Sequence, residues 1–367
     1  MTLRAPRPKP AVSDPTLTRP DWLKSDNRDP AKLWLDKNEN VDPELARIVR
    51  ELVRSIPSEA YWTYPDTARL YRKLAIVAAS QPENLILAAG SDGIIRSVFE
   101  AYISPGDVVI HTEPTFAMYG VYAQMYGAKM MPIHYVASQA GPKLPIDELL
   151  AAIRTTRPRL VCLPNPDSPT GTVVEPAELR TIIEASGEAG AVMLIDEAYY
   201  PFHRDTAASW IAEYPHLAIA RSTGKAWGMA GLRVGYAIAA PDVAMALHKV
   251  RPMYEISTVA AWAFDGMLDH ADEVMASVHR LNDGKRIFLD AMDELGLRTL
   301  RGAGNFLHVA FGDRAAEVHA ALNDLVYYRR DFGHPSLAGF SRFSAATPAQ
   351  FRPIIDRIKL TIGHSIS

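Results

Sequence analysis

A lysine set among Ala, Trp, Gly and Met is a candidate for chemistry that an ordinary surface lysine does not perform. Lys225 lies in Ser222-Thr223-Gly224-Lys225-Ala226-Trp227-Gly228-Met229-Ala230-Gly231-Leu232-Arg233, between two strand-like apolar runs. Low polarity lowers an amine pKa and favours the neutral nucleophile that imine formation needs. Gly224 frees the backbone beside it, Ser222 can donate to a phosphate, and Arg233 offers a charge-assisted fork to a dianion. Taken alone, the segment reads more readily as a surface lysine in a glycine-rich turn. It is no Walker-type loop, because the full GxxxxGK[ST] pattern is absent.

Two other segments carry complementary chemistry. Ala89-Gly90-Ser91-Asp92-Gly93 follows a strand-like run and opens a helical one, so the first free N–H groups of the helix face whatever anion sits there. An ordinary capped turn has the same appearance. Asp196-Glu197-Ala198-Tyr199 comes directly after Val192-Met193-Leu194-Ile195. A carboxylate at a buried strand end is costly unless paired. A protonated pyridine nitrogen would repay that cost and would gain strength as an electron sink; a helix N-cap is the other reading of Asp196. Tyr199 either hydrogen-bonds a ring hydroxyl or packs.

The elements that must position these groups follow from hydrophobic spacing. Leu45, Ile48, Val49 and Leu52 share one helix face, and Leu70, Leu74 and Val77 another. Short apolar runs at Leu85–Ala88, Val108–Ile110, Leu160–Leu163, Val192–Ile195, Leu217–Ala220 and Val234–Ala239 alternate with helical patterns, which predicts a sheet covered on both faces. Open sheets bind ligands beyond the carboxyl ends of their strands, where the polar segments above fall. After Pro241 the spacing predicts helices over 241–250 and 257–293, strands at Phe306–Ala310, Val326–Arg330 and Phe340–Ala345, a helix around 314–324, and a closing helix from Pro348 to about Ile362. The expected organisation is an arm over 1–34, a contribution to a small domain and interface from 35–60, a large domain over 61–250, and linking helices with a C-terminal small domain over 251–367.

The 367-residue length exceeds what one core usually organises. With 39 Lys+Arg against 42 Asp+Glu and no concentrated basic footprint, nucleic acid is not an expected partner. A single cysteine, Cys162, excludes an internal disulfide and a cysteine-rich zinc site, and no metal is expected. The proline-rich N-terminus lacks the apolar core of a signal sequence and no later run has the length of a membrane span, so a cytoplasmic location is expected.

The ordered landmarks Asn38-Glu39-Asn40, Tyr64-Pro65-Asp66, Gly90-Ser91-Asp92, Pro114-Thr115-Phe116, Asn165-Pro166-Asp167-Ser168-Pro169-Thr170-Gly171, Asp196 to Tyr199, Lys225 to Arg233, and Arg342 extend over nearly the whole chain after the arm. Together they resemble the fold-type I pyridoxal-5'-phosphate enzymes, within these the class I/II aminotransferases, nearest the histidinol-phosphate aminotransferase family. The resemblance implies an α/β fold with a large, mostly parallel sheet and a smaller α+β domain. It implies that Lys225 carries the cofactor as a Schiff base and then transfers the substrate proton. Asp196 would bind the pyridine nitrogen, Asn165 and Tyr199 would face the ring hydroxyl, and Phe116 would stack on the ring. Ser91 and Asp92 through their backbones, with Ser222 and Arg233, would hold the phosphate. Tyr64 would reach the phosphate in a neighbouring subunit, implying a homodimer with shared sites, and Arg342 would clamp the substrate carboxylate. Arg330 or Arg329 could bind a substrate phosphate, with surface solvation the alternative for at least one of them.

Two positions depart from the family pattern. Phe116 stands where a tyrosine is usual, and Gly224 where the histidinol-phosphate enzymes commonly have serine. The reaction expected is amino transfer between an amino acid or amino-phosphate and a 2-oxo acid. An O-phospho-amino-acid decarboxylase and an aromatic amino acid aminotransferase are the alternatives, because the bond cleaved at Cα is not encoded by the Lys225 segment.

Overall fold

The computed structural model describes residues 8–18 and 27–363. Seven strands form the main sheet, in the order 85–88, 235–239, 217–222, 192–196, 160–164, 108–113, 129–134. Gly235–Ala239 runs against both of its neighbours, and every other adjacent pair along the rest of the sheet is parallel. Leu85–Ala88, Leu160–Pro164, Val192–Asp196 and Gly235–Ala239 are buried along their full lengths, which is why they read as continuous apolar runs rather than alternating ones. Helices Ser91–Tyr102, Ile146–Thr156 and Pro176–Ala189 are among the connections between strands. Their apolar faces and the sheet form two buried clusters, one on each side.

Parallel pairing puts Pro164, Asp196 and Ser222 at the same end of neighbouring strands. Ser222 and Ala88 both register with Gly235 on the intervening antiparallel strand. That glycine is needed for space: a Cβ there would lie 2.2 Å from the carbonyl carbon of Gly90. The turn leading into the helix at Ser91 can therefore lie directly over the end of the Ser222 strand.

A smaller α+β body holds the antiparallel sheet of 340–344, 306–310 and 298–300, with helices Ala271–Glu294, Ala315–Ala321 and Pro348–Gly363. Leu35 belongs to its core with Phe288, Phe343 and Phe351. Leu33–Trp34 pairs in parallel with Val326–Tyr327, so the last residues of the expected arm belong to this body.

Three local expectations are corrected. Lys129–His134 is an edge strand that the apolar spacing did not suggest. It is largely exposed and contains Pro132, which an edge tolerates because one side of its backbone needs no ladder partner. The helix expected over 257–293 is two, Thr258–Met267 and Ala271–Glu294, separated by a 3-10 turn at Leu268–His270. The strand expected over Val326–Arg330 stops at Tyr327, and Arg329 forms a separate bridge to Arg342. No helix among the described residues is long and apolar enough to cross a membrane.

Candidate active site

A cavity of about 720 Å³ opens beyond the carboxyl ends of the large sheet. Ser91, Asp92, Phe116, Asp196, Tyr199, Ser222, Lys225, Arg233 and Arg342 all line it. These residues come from five separate segments, and only the tertiary fold brings them together.

One corner is built to receive an anion. The helix Ser91–Tyr102 starts after Gly90, whose φ of 83° suits glycine. A Cβ on Gly90 would approach Arg233 Nη2 to 2.7 Å, so the bare glycine lets the guanidinium lie against the turn. Arg233 Nη2 donates to the Ala89 carbonyl at 3.3 Å. Ser222 Oγ accepts from the Gly224 N–H at 3.1 Å and keeps its own proton to donate. The Asp92 carboxylate accepts from the Tyr122 hydroxyl at 2.9 Å. The free N–H groups of the first helical turn complete this corner.

Asp196 ends its strand buried. Its carboxylate accepts from the Tyr119 hydroxyl at 2.9 Å and from the Ala198 N–H at 3.0 Å. Burial pushes its pKa up to about 6, opposed by those hydrogen bonds and by Lys225. An added positive charge on the cavity side would therefore meet a carboxylate short of compensation. Tyr119, which sequence reasoning did not single out, is fully buried, and its hydroxyl pKa is raised by burial and then by Asp196. It follows Phe116 by only three residues, and its nearness to that landmark was the one signal that could have found it.

Lys225 Nζ donates to the Lys37 carbonyl at 2.9 Å and sits 5.9 Å from the Tyr199 ring centre. Burial and then the charge of Arg342 push its pKa down to about 8. The amine is thus much closer to its neutral form near physiological pH than a surface lysine. The buried Tyr199 hydroxyl accepts from Asn38 Nδ2 at 2.8 Å. Phe116 is partly exposed at the opposite wall, with its ring edge-on to Tyr119 at 6.0 Å.

Arg342 is buried beside Phe306 and Phe332, its guanidinium carbon 5.5 and 5.9 Å from their ring centres. Its Nη2 donates to the Asp36 carbonyl at 2.9 Å, while the buried Nε has no partner. Burial pulls its pKa down to about 10. An anion arriving at this side chain would relieve an unsatisfied donor.

Two expected contacts lie elsewhere. The Asn165 amide is turned away from the cavity: Oδ1 accepts from the Val174 N–H at 2.9 Å, and Nδ2 donates to the Val174 carbonyl at 3.4 Å. Clamping the following loop satisfies both ends of the amide, and Ser168 from the same segment lines the cavity instead. Asp167 is the buried centre of that loop, bonded by Thr170, Thr112 and Thr115, with burial raising its pKa to about 7. Arg330 is exposed and donates to Asn323 Oδ1 at 3.0 Å, outside the cavity. Arg329 lines the cavity, its guanidinium 4.4 Å from the Phe332 ring centre. Neighbouring residues of an extended segment point to opposite sides, and that alternation separates the pair.

Tyr64 does not line this chain's cavity. It is 76% exposed and stacks on Tyr254 at 4.2 Å, beside exposed Tyr61 and Trp62.

Residues 30–358 match the family described as aminotransferase class I and II. The chain is 31% identical over 307 residues to a histidinol-phosphate aminotransferase of Thermoanaerobacter sp. (strain X514), covering 83% of this chain and 85% of that one. It is 34% identical over 268 residues to histidinol-phosphate aminotransferase 1 of Cupriavidus pinatubonensis, covering 71% and 70%. Among solved structures, the histidinol-phosphate aminotransferase of Sinorhizobium meliloti in complex with pyridoxal-5'-phosphate shares the fold with a TM-score of 0.76 at 22% identity, covering 90% of this chain and 91% of that one. Aspartate aminotransferase from Thermus thermophilus with maleate does so with a TM-score of 0.72 at 20% identity, covering 90% and 92%.

Proposed function

The chain belongs to the class I and II aminotransferases, pyridoxal-5'-phosphate-dependent enzymes, and from that premise we propose that it moves the amino group of a donor carrying a second anionic group, a phosphate ester as in histidinol phosphate, to a 2-oxo acid. The observation that carries this reading is the convergence of Lys225, Asp196, Arg233, Arg342 and a further arginine, Arg329, on one cavity.

The residues fit the cofactor. Bare Gly90, the helix start at Ser91, Ser222 and Arg233 form a cradle of donors for a phosphate, and the under-compensated Asp196 suits a protonated ring nitrogen. When bound, pyridoxal phosphate supplies an aldehyde with which amines condense and a conjugated ring that accepts the electron pair left at Cα.

In this reading Lys225 acts through Nζ, first as the nucleophile and then as the base that takes the Cα proton and returns it. Its lowered pKa serves both tasks. Asp196, held by Tyr119 and the Ala198 N–H, keeps a proton on the ring nitrogen. Phe116 provides an apolar wall against one ring face, and the Tyr199 hydroxyl is the donor for the ring oxygen. Arg342 binds a carboxylate, its unpartnered Nε being available to the anion. Arg329 binds the distal phosphate of the amino-phosphate partner, and the two partners react in turn.

A homodimer is part of the proposal. Tyr64, with Tyr61 and Trp62, leaves an aromatic patch exposed on the outside of the chain, and large exposed aromatics of this kind mark association surfaces. Tyr64 would then serve a phosphate in the partner's site.

The test is a donor screen of the reconstituted enzyme, with products identified by mass spectrometry. Histidinol phosphate should convert with a kcat/KM at least about tenfold above phenylalanine or tyrosine. Equal or better turnover of the aromatic donors would overturn the substrate assignment, and release of carbon dioxide without an oxo product would overturn amino transfer.

A further inference from the structure

Each residue of Asp36-Lys37-Asn38 contacts a different candidate of the site. Arg342 Nη2 donates to the Asp36 carbonyl, Lys225 Nζ to the Lys37 carbonyl, and Asn38 Nδ2 donates to the Tyr199 hydroxyl, at 2.9, 2.9 and 2.8 Å. The segment is pinned to the small sheet. Ser344 N donates to the Leu35 carbonyl at 2.8 Å, and Asn38 N to Ser344 Oγ at 2.8 Å. Asn305 Nδ2 donates to the Asn38 carbonyl at 2.9 Å. Asn38 has a φ of 55°, in the left-handed region that asparagine tolerates better than most residues.

These contacts give the Asn38 amide a direction. Ser344 Oγ accepts the Asn38 N–H, so its own proton is free for Asn38 Oδ1, 3.5 Å away. In the observed arrangement Oδ1 is turned to Ser344 and Nδ2 faces Tyr199. A phenol that accepts from Asn38 retains its O–H for a different acceptor, and Tyr199 borders the cavity. The Ser168 hydroxyl also bonds to Tyr199, but a hydroxyl rotates to suit its neighbours and sets no direction.

We propose that Asn38 is a positioning residue that fixes the polarity of the Tyr199 hydroxyl, so that Tyr199 donates its proton into the cavity. The inference rests on the reading of Tyr199 as the partner of the cofactor's ring oxygen. A donor to that oxygen stabilises the more negative, deprotonated form of the chromophore, and losing the donor raises the chromophore's titration midpoint. Arg342, Asp196 and Lys225, whose Nζ lies 5.9 Å from the Tyr199 ring centre, are the charged groups close to Tyr199, and all remain unchanged in the variants below.

The experiment titrates the visible absorbance of the full-length holoenzyme with pH for Asn38→Asp, Asn38→Gly, Tyr199→Phe and Asn38→Gly combined with Tyr199→Phe. Asn38→Asp keeps the shape but cannot donate, so Tyr199 must turn its proton toward it. The expected result is an upward midpoint shift and a kcat about tenfold lower. Asn38→Gly suits the backbone, removes the donor without adding charge, and should raise the midpoint too, with no further shift when it is added to Tyr199→Phe. A merely structural role would leave Asn38→Asp like wild type. That outcome overturns the proposal, as does a shift that persists in the Tyr199→Phe background. No shift in Tyr199→Phe itself overturns both this inference and the reading of Tyr199, whereas a shift there with none in either Asn38 variant overturns this inference alone.

Discussion

Arg329 and Arg342 are backbone partners. Arg329 N donates to the Arg342 carbonyl at 3.0 Å and Arg342 N to the Arg329 carbonyl at 2.8 Å. Residues directly opposed in an antiparallel pair project to the same side, which places two guanidinium groups on one wall of the cavity. Arg330, one residue along, projects away.

That relationship separates two adjacent arginines by experiment. Arg329→Gln should raise KM for a phosphate-bearing donor by about tenfold or more, since a charge-assisted contact is worth about 1.5–3 kcal/mol. Arg330→Gln should change it by less than about twofold, as expected of an exposed contact. Steady-state kinetics on the two variants decide the matter, and the reverse order would show that the bridge does not direct substrate binding.

Lys225→Ala should lower kcat by about 10⁴-fold while the protein still folds, because nucleophile and proton carrier are lost together. Borohydride treatment followed by intact-mass measurement should add to the wild type one cofactor less the water lost on condensation and plus two hydrogens, and nothing to the variant. Covalent capture by the variant would move the reactive amine to another residue.

Tyr119→Phe isolates the support of Asp196. Removing one of the two donors to a buried carboxylate should lower kcat about tenfold. It should also push the Asp196 pKa above its present value of about 6, since the Tyr119 hydrogen bond lowers it. A spectroscopic titration of the holoenzyme, compared with Asp196→Asn, checks this; an unchanged profile would show that Tyr119 only packs.

The pKa of Lys225 has a consequence for the cofactor-free protein. Its folded value, about 8, lies below its ordinary value of 10.5. Below about pH 8 the lysine is charged in both states, and the folded chain bears the full cost of holding that charge. Between about 8 and 10.5 the unfolded state binds more protons, so stability from this group rises with pH. Lys225→Met should therefore raise the thermal midpoint of the apoprotein at pH 7, with the gain shrinking as pH rises from 8 towards 10.5. Calorimetry across that range would expose a constant difference, which this account does not allow.

The buried pair of Arg221 and Glu197 flanks the site, since each adjoins a cavity residue, Ser222 and Asp196. Arg221 donates to Glu197 Oε2 through Nε at 3.0 Å and Nη2 at 2.9 Å, with Thr206 closing the network. Arg221→Ala leaves a carboxylate uncompensated and should destabilise by about 3–5 kcal/mol. Denaturant unfolding measures this, and a loss below about 1 kcal/mol would imply that water replaces the arginine.

Much of the architecture was legible in local chemistry. The buried strands Leu160–Pro164 and Val192–Asp196 announced themselves by unbroken apolar runs, because burial on both faces removes alternation. Ser91, Asp196 and Ser222 stood out because each sits at a strand or helix end where polar groups need a reason to be, and Lys225 because Ala226, Trp227 and Met229 beside it are apolar. Lys129–His134 was hidden because an exposed edge strand has no apolar signature, and the Asn165 landmark gave no indication of which side chain in its loop faces inward.

Residue type and spacing by themselves determined the α/β class and marked Lys225 and Asp196 as candidates, since these depend on periodicity and on the cost of burying charge, while the roles expected of the two came from the order of the landmarks along the whole chain. Tertiary structure alone decided that Arg329 rather than Arg330 meets the cavity, that Asn165 clamps Val174, and that Tyr119 and Asn38 hold Asp196 and Tyr199. Those outcomes depend on strand register and side-chain direction between segments far apart in the chain, and a one-residue change of register reverses which face a side chain meets.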